Sequence, residues 1–339
     1  MAETNQKKRI LSIDGGGIRG IIPGQILVIL EDKLKAKTGN ENARISDFFD
    51  LIAGTSTGGI LTCSYLMPGE NAPGQEVRPK FDARQVVDLY LKRGGEIFSI
   101  PFRHKLLSAD GVLDEKYPAA PLEKALKDYF GDTKLSELVK PCLITSYDIM
   151  RRQGHFFTQL DAVKRPGWDF LVKDVARSTS AAPTYFECSD TKSMTDVSYP
   201  LIDGGVFVNN PTLCAFAEVY KQFQTTPDQM VVLSLGTGYS KKEYDYDKAK
   251  NWGMVQWVKP LIDIMMSGVA EVVDYQLRQI FDAIGAQNQY LRINTELPID
   301  VSPDMDETSA ENLQALKELG TYTAQGFDAE LDAFVDLLV

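Results

Sequence analysis

The stretch from Gly54 to Gly58 constrains the fold more than any other part of the chain, because the pattern G-T-S-T-G holds a serine between two glycines. Phe48 to Ala53, which precedes it, is a short apolar run that predicts a buried strand, and the uncharged segment after it, up to Met67, is compatible with a helix. The flanking glycines leave room for a sharp turn between strand and helix. We therefore expect Ser56 at the carboxyl end of a strand, beside the positive end of a helix dipole.

The beginning of the chain has the same organisation. Arg9 to Ile13 predicts a strand, Asp14 to Gly20 is a glycine-rich loop, and Pro23 fits the first turn of a helix that includes Gln25 to Leu34. Two successive strand–loop–helix units predict parallel strands with helices on the sheet faces. The sequence thus predicts an α/β fold in which both glycine-rich loops lie at the carboxyl ends of the strands, where sites of such folds gather.

Later segments continue this pattern. The apolar run Met230 to Leu235 is typical of a central parallel strand. Cys142 to Ile149 and His155 to Gln159 predict two further strands joined by a polar turn, and Asp328 to Leu338 predicts a final helix. Because the sequence contains no internal repeat or linker, we expect a short polar segment over residues 1–8 and a single domain over residues 9–339.

Helical spacing predicts an amphipathic helix between Trp257 and Val272. Its apolar stripe consists of Trp257, Leu261, Ile264, Met265, Gly268 and Val272. The tryptophan and methionine content is compatible with a lipid interface, but an apolar helix stripe more commonly faces a core. We therefore expect this stripe to face the core, with peripheral membrane contact as the alternative.

Charge and targeting signals limit the partners and the location. The chain has 47 acidic and 36 basic residues among 339, a net charge of -11, so nucleic acid is not an expected partner. Met1 to Ile10 is polar and lacks the apolar region of a signal peptide, and no apolar run is long enough to span a bilayer. We expect a cytoplasmic protein whose widely spaced cysteines are reduced core thiols: Cys63, Cys142, Cys188 and Cys214.

A serine nucleophile requires a general base, and the chain has only two histidines, His104 and His155. Neither follows a suitable acid in the serine–acid–histidine order of α/β-hydrolases, so we expect both to be structural. Asp203 is the candidate base, because Gly204 and Gly205 permit a tight turn and the close approach of another backbone. On its own, however, Asp-Gly-Gly is more typical of an ordinary turn. An aspartate in this role would need burial to raise its pKa from about 3.9.

The first glycine loop supplies candidate donors for an oxyanion. Gly15 to Gly17 leave their backbone N–H groups unshielded, the following helix adds a positive dipole end, and Arg19 adds a full charge. The same stretch also matches the dinucleotide-binding pattern G-x-G-x-x-G. Against that alternative, Asp14 lies where a pyrophosphate would bind, and the second strand leads into Gly54 to Ser56 rather than to an acidic residue. No Gly-Lys-Ser/Thr follows, which excludes a P-loop.

Three motifs, in this order and at these separations, closely resemble the patatin family of lipid acyl hydrolases: Asp14 to Gly20, Gly54 to Gly58, and Asp203 to Gly205. Three further segments also resemble patatins: Ser180 to Phe186, Leu233 to Gly238, and Asn288 to Ile293. Each motif alone is weak, but the ordered set is specific, and the resemblance extends from about Ile10 to beyond Leu319.

The resemblance implies a three-layer α/β/α sandwich with a mostly parallel sheet and a Ser-Asp dyad. Ser56 would attack an ester carbonyl, Asp203 would accept its proton, and Gly15 to Gly17 would bind the oxyanion. Substrates would be phospholipids or other glycerolipids, cleaved without a metal or another cofactor. Acyl transfer by the same dyad and non-catalytic lipid binding are the alternatives, and the oligomeric state is left open. The chain differs from many plant patatins in Gly205, where they have alanine, and, unlike many of them, we expect it to have no secretory signal.

Overall fold

The structure, a computed structural model, describes residues 7–70, 77–97, 116–241 and 243–339, without the side chain of residue 259. Eight strands of these residues form one sheet: β1 (Lys8–Ile13), β2 (Leu51–Thr55), β3 (Cys142–Asp148), β4 (Gln153–Thr158), β5 (Ser189–Lys192), β6 (Ser198–Asp203), β7 (Met230–Leu235) and β8 (Tyr290–Ile293). The strand order is β5-β6-β3-β2-β1-β7-β8, and β4 pairs with β3.

The centre of the sheet is parallel. β1 pairs in parallel with β2 and β7, and these pair in parallel with β3 and β8, respectively. The antiparallel pairs, which involve β4, β5 and β6, lie on the β3 side. The predicted α/β fold with a mostly parallel central sheet is confirmed.

Helices cover both faces of the sheet. Those of the described residues are α1 (Ile21–Thr38), α2 (Thr57–Leu66), α3 (Ala83–Ile97), α4 (Ala119–Phe130), α5 (Gln159–Lys164), α6 (Val172–Thr179), α7 (Thr212–Gln222), α8 (Tyr246–Ala249), α9 (Met254–Ala283), α10 (Ala310–Gly326) and α11 (Asp328–Leu338). Side chains alternate along a strand, so Leu11 of β1 faces the core formed with α1, α2, α10 and α11. Ile10 faces the core formed with α7 and α9. The result is three layers.

The β-run from Met230 to Leu235 has the predicted bounds, whereas β2 begins later than expected, at Leu51. A 3-10 turn over Ile45–Asp47 occupies part of the preceding segment, and the Asp50 carboxylate accepts a hydrogen bond from the Arg9 backbone at 2.8 Å. The predicted strand before Ser56 therefore exists, but it includes Gly54 and Thr55. Strand β5 was not predicted, because its sequence, S-D-T-K, has little apolar character.

The prediction that the stripe on the long helix faces the core is wrong. Leu261, Ile264 and Met265 are exposed, whereas the same helix buries Val273 and Leu277 against the sheet. Helical spacing identified an apolar stripe, but the first half of α9 is apolar on more than one side, and the spacing does not determine which side is inward.

Two smaller expectations concern cysteines and membrane spans. All four cysteines are free, as expected, but only Cys63 and Cys142 are fully buried, and Cys188 is exposed because it precedes the edge strand β5. Among the helices of the described residues, none combines the length and apolar character needed to cross a membrane. His104 lies outside the described residues.

Candidate active site

Ser56 lies in a strained turn between β2 and α2. Its φ is 55° and its ψ is -122°, a conformation that residues with side chains rarely adopt. The Ser56 N–H donates to the Thr179 hydroxyl at 2.8 Å, and the Ser56 carbonyl accepts from the Ile60 N–H at 3.1 Å. The turn therefore holds the serine hydroxyl at the carboxyl end of β2 and at the first turn of a helix.

The glycines around Ser56 are required by close backbone contacts. A β-carbon on Gly54 would lie 2.1 Å from the Gly58 carbonyl oxygen, and one on Gly58 would lie 2.1 Å from the Ile13 carbonyl oxygen. Real β-carbons do not approach oxygen so closely, so any side chain here would move the turn or the end of β1. The G-T-S-T-G pattern is thus explained by packing as well as by the bend of the chain.

Asp203, the last residue of β6, binds the serine. Ser56 Oγ donates a hydrogen bond to Asp203 Oδ2 at 2.6 Å, and the Gly205 N–H donates to Asp203 Oδ1 at 2.7 Å. A β-carbon on Gly204 would lie 2.1 Å from the Thr145 hydroxyl oxygen, so the turn after Asp203 packs directly on β3. The structure brings together the serine and the aspartate selected from the sequence.

The Asp203 carboxyl group is buried and has no ion-pair partner among the residues that the structure describes. Burial raises its pKa from the usual 3.8 to about 7, although the hydrogen bonds from Ser56 and Gly205 lower it. A carboxylate with such a pKa is a far better proton acceptor at neutral pH than an exposed one.

Threonine hydroxyls connect the elements that position the pair. Thr55 Oγ1 lies 2.7 Å from Thr145 Oγ1 and 2.7 Å from the Val208 carbonyl oxygen. Thr179, whose hydroxyl accepts from the Ser56 N–H, donates to the Thr145 carbonyl at 2.6 Å. These bonds join β2, β3, α6 and the loop after β6, so the relative position of Ser56 and Asp203 is fixed by several elements.

The first glycine loop lies against the same turn. A β-carbon on Gly15 would lie 3.2 Å from the Ser56 β-carbon. The Gly15 N–H, however, donates to the Asn209 carbonyl at 3.1 Å, and the Gly15 carbonyl accepts from the Thr237 hydroxyl at 2.7 Å. Gly15 is thus a fixed point of the loop, and its N–H is not available to an oxyanion.

Gly16 and Gly17 differ from Gly15, because no acceptor within the described ranges pairs with their N–H groups. Gly17 has a φ of 59°, and it lines the cavity that contains Ser56. Arg19 is buried beneath the loop, and its Nε donates to the Gly16 carbonyl at 3.4 Å. Burial lowers the pKa of the Arg19 guanidinium, and Asp263 opposes that effect. These residues retain free donors and a nearby positive charge.

Asp14, which precedes the loop, is held by an arginine from β8. Arg292 Nη1 donates to Asp14 Oδ1 at 3.0 Å, Arg292 Nη2 donates to Asp14 Oδ2 at 2.5 Å, and Arg292 Nη1 also donates to the Ser234 hydroxyl at 2.9 Å. Both charged groups are buried. This bidentate pair links the start of the loop to β7 and β8.

Ser56 and Asp203 open into an apolar cavity of about 260 Å³. Its lining is mostly aliphatic and aromatic: Ile18, Ile60, Tyr185, Phe186, Ile262 and Met266. A cavity of this character suits an apolar ligand with few polar groups at one end. Ser56 and Asp203 are among the few polar residues of its lining.

His155 does not belong to this cavity. It is buried on β4 among Phe157, Trp168, Phe170 and Tyr199, and it lines a second cavity that shares no residue with the first. Burial lowers the pKa of His155 to about 4. This histidine is therefore neutral at physiological pH and remote from Ser56.

Four residues that position the site were not selected from the sequence: Thr179, Asn209, Thr237 and Arg292. Thr237 and Arg292 lie within segments that resemble patatins, but the resemblance assigned them no role. Asn209 and Thr179 act through hydrogen bonds to segments distant in sequence, contacts that no local pattern encodes.

A model of the patatin-like phospholipase family matches residues 11–216 of the chain. Patatin-like protein 1 of Arabidopsis thaliana is 35% identical, with 92% of this chain and 80% of the relative covered. A Solanum tuberosum protein described as probable inactive patatin-3-Kuras 1 is 33% identical, with 92% and 84% covered. Among solved structures, VipD from Legionella pneumophila has a TM-score of 0.40 and 12% identity, and the match covers 96% of this chain and 67% of that one.

Proposed function

The chain belongs to the patatin-like phospholipase family, and from this premise we propose that it is a lipid acyl hydrolase of the phospholipase A type. The observation that carries the proposal is the 2.6 Å hydrogen bond from Ser56 Oγ to a buried Asp203 carboxylate with a pKa of about 7. One relative is described as probably inactive, so the proposal rests on the residues of this chain in addition to its family.

In the proposed reaction, Ser56 Oγ attacks the carbonyl carbon of an ester while its proton passes to Asp203 Oδ2. The tetrahedral intermediate collapses, the C–O bond to the alcohol breaks, and the alcohol leaves with the proton from Asp203. Water then attacks the acyl-enzyme, Asp203 accepts a proton from the water, and the fatty acid leaves as Ser56 Oγ recovers that proton. The hydroxyl and the carboxyl group are restored, and no redox step or metal is required.

We assign oxyanion stabilisation to the N–H groups of Gly16 and Gly17. The Gly15 N–H, which we also expected from the sequence to contribute, already donates to Asn209. Arg19 orients the Gly16 peptide through its carbonyl and adds positive charge near the loop. Preorganised donors of this kind supply a large share of the rate in acyl transfer, which compensates for an aspartate being a weaker base than imidazole.

The cavity supports the proposed substrate class. Its apolar wall suits a fatty acyl chain, and the proposed reaction places the ester carbonyl beside Ser56. A phospholipid or another glycerolipid supplies such an ester. Transfer of the acyl group to an alcohol acceptor uses the same dyad and differs only in the nucleophile that attacks the acyl-enzyme.

The test compares Ser56→Ala with Ser64→Ala. Ser64 is a buried serine of the helix that follows Ser56, and its hydroxyl donates to the Ile60 carbonyl, so it controls for loss of a nearby buried hydroxyl. Each variant is incubated with phosphatidylcholine, with and without a competing alcohol acceptor, and the products are measured by mass spectrometry. Labelling by a fluorophosphonate probe is followed in parallel.

We expect Ser56→Ala to abolish both labelling and fatty acid release, and Ser64→Ala to retain both. Full activity of Ser56→Ala overturns the assignment of the nucleophile. Lipid binding by the unmodified protein without turnover of any ester would instead favour a non-catalytic lipid-binding protein. Transfer of most acyl groups to the added alcohol rather than to water would favour an acyltransferase.

A further inference from the structure

The two halves of helix α9 have different surroundings. In the second half, Val273, Leu277 and Phe281 are buried against the sheet, and the outward side carries charged residues, including Asp274 and Arg278, which form an ion pair at 3.0 Å. This half is an ordinary amphipathic surface helix.

The first half presents an apolar surface to solvent, which we call the α9 apolar surface. It consists of Met254, Val255, Trp257, Val258, Leu261 and Ile264. Met254 is 86% exposed, Val255 is 75% exposed, and Leu261 is 49% exposed. Eleven residues from the first to the last of these extend about 16 Å along the helix. Single exposed apolar side chains are common, but a contiguous set of six indicates a binding surface.

Aromatic side chains surround the beginning of this surface. Trp252 packs edge-on against both Tyr244 and Trp257, with ring centroids 5.6 Å and 5.1 Å apart, and Tyr246 is 77% exposed. Tryptophan and tyrosine are the residues enriched at the headgroup level of membranes, because each combines an apolar ring with a polar atom. The composition of the surface therefore matches a lipid interface.

The α9 apolar surface is continuous with the cavity of the candidate active site. Ile262, Met265 and Met266 lie on the same half of α9 and line the cavity that contains Ser56 and Asp203. Met265 is also 44% exposed, so its side chain belongs to both the outer surface and the lining. A helix lying in the interface would place the cavity beside the lipids.

We propose that the α9 apolar surface docks the protein on a zwitterionic lipid surface, such as phosphatidylcholine. The inference rests on the proposed function in one respect, namely that the docked surface is the source of the substrate. The net charge of -11 opposes binding to anionic membranes, so attachment depends on apolar contact and is insensitive to salt. The helix lies in the plane of the interface and does not cross the bilayer.

The test separates docking from catalysis by using full-length protein with Ser56→Ala, which leaves the vesicles intact. The docking variant adds Met254→Gln, Val258→Gln and Leu261→Gln, three positions that do not line the cavity. Glutamine retains high helix propensity, so the helix is preserved. The matched control carries three glutamines at exposed apolar positions on other helices: Val163, Tyr220 and Tyr322.

Binding is measured by sedimentation with phosphatidylcholine vesicles at low and high salt. We expect at least a tenfold loss of partitioning for the docking variant and none for the control, with no gain on anionic vesicles. Brominated phosphatidylcholine should quench tryptophan fluorescence in the Ser56→Ala protein and not in the docking variant. Equal partitioning of the two variants, or binding to anionic vesicles alone, overturns the proposal.

A second experiment uses proteins that retain Ser56 and compares the hydrolysis of vesicles with the hydrolysis of a short, water-soluble ester. The docking substitutions should lower the rate on vesicles about tenfold and leave the rate on the soluble ester unchanged. Absence of hydrolysis in the parent protein contradicts the proposed function but leaves the binding result valid. A dimer in solution that the docking substitutions dissociate assigns the surface to a second copy of the chain and overturns the proposal.

Discussion

Asp14 directly follows β1 and Asp203 is the last residue of β6; both are buried aspartates, but their surroundings differ in one respect. Asp14 accepts two hydrogen bonds from the Arg292 guanidinium, so its charge is neutralised by a neighbour. Asp203 accepts from the Ser56 hydroxyl and the Gly205 N–H, and no cation of the described residues pairs with it. Burial raises the pKa of both carboxyl groups, but at Asp14 the Arg292 guanidinium opposes that effect. Asp14 therefore has a compensating charge beside it, whereas Asp203 has none among the described residues.

The two chemically identical carboxyl groups therefore differ in the role that we expect of each. Asp14 joins the start of the glycine loop to β8, and its proton is not needed for any proposed step. Burial destabilises the charged form of Asp203, and that effect favours its taking up the Ser56 proton in the proposed reaction. Substituting asparagine, which preserves shape and removes charge, distinguishes the two roles.

The largest expected effect is on catalysis at Asp203. Asp203→Asn should lower kcat for ester hydrolysis on the order of 10³–10⁴-fold, because the amide cannot accept the serine proton. The measurement is steady-state hydrolysis of a soluble ester, with circular dichroism to verify the fold. A loss of less than tenfold would mean that another group accepts the proton.

The next effect is on stability at Asp14. Asp14→Asn leaves the buried Arg292 charge without a carboxylate and should lower the free energy of unfolding by about 3–5 kcal/mol. Urea denaturation at pH 8 measures this change. The double variant Asp14→Asn/Arg292→Met, which removes both charges, should recover part of the loss. If the single variant is as stable as the parent protein, the ion pair is not what stabilises the loop.

The third prediction has the opposite sign at Asp203. The pKa of the Asp203 carboxyl group is about 7 in the folded protein and 3.8 as its usual value. The free energy of unfolding therefore falls as pH rises from about 4 to 7, and this contribution stays constant above pH 7. Asp203→Asn removes the charge and should raise the free energy of unfolding at pH 8 by up to about 4 kcal/mol. The gain should shrink as pH falls towards 4. A loss of stability at pH 8 as large as that of Asp14→Asn would contradict the contrast between the two residues.

The smallest effect is the pH dependence of the rate. Asp203 accepts a proton only when ionised, so kcat/KM should fall about tenfold per pH unit below about pH 7 and level off above it. The profile is measured on a soluble ester between pH 5 and 9, within the range where the protein remains folded. A flat profile from pH 5 to pH 8 would show that the base has an unperturbed pKa.

The sequence predicted the strands and turns that carry the site, because these depend on local signals. The glycines beside Ser56 and the apolar run of β7 have a composition that few other structures permit. The sequence also indicated Asp203 as the candidate base, although the Asp-Gly-Gly pattern alone favoured an ordinary turn. The family resemblance contributed what local patterns could not, namely the association of Ser56 with a carboxylate in a distant segment.

The contrast between the two aspartates could not be predicted from local sequence. Asp14 and Arg292 are 278 positions apart, and their pairing depends on the sheet order, in which β7 lies between β1 and β8. The Gly15 N–H was expected to remain free, but its bond to Asn209 depends on a loop after β6. The orientation of the first half of α9 was mispredicted, because apolar spacing identifies a stripe and does not identify what covers it.

The close contact between the serine turn and the end of β1 has a consequence for protein engineering. A single added carbon at Gly58 would collide with the Ile13 carbonyl. The serine turn and the end of β1 therefore fit closely together, and neither can be transferred to another protein alone. Grafting G-T-S-T-G onto another parallel sheet would reproduce the bend without the adjoining amides. A designer would have to transplant the neighbouring strand end as well.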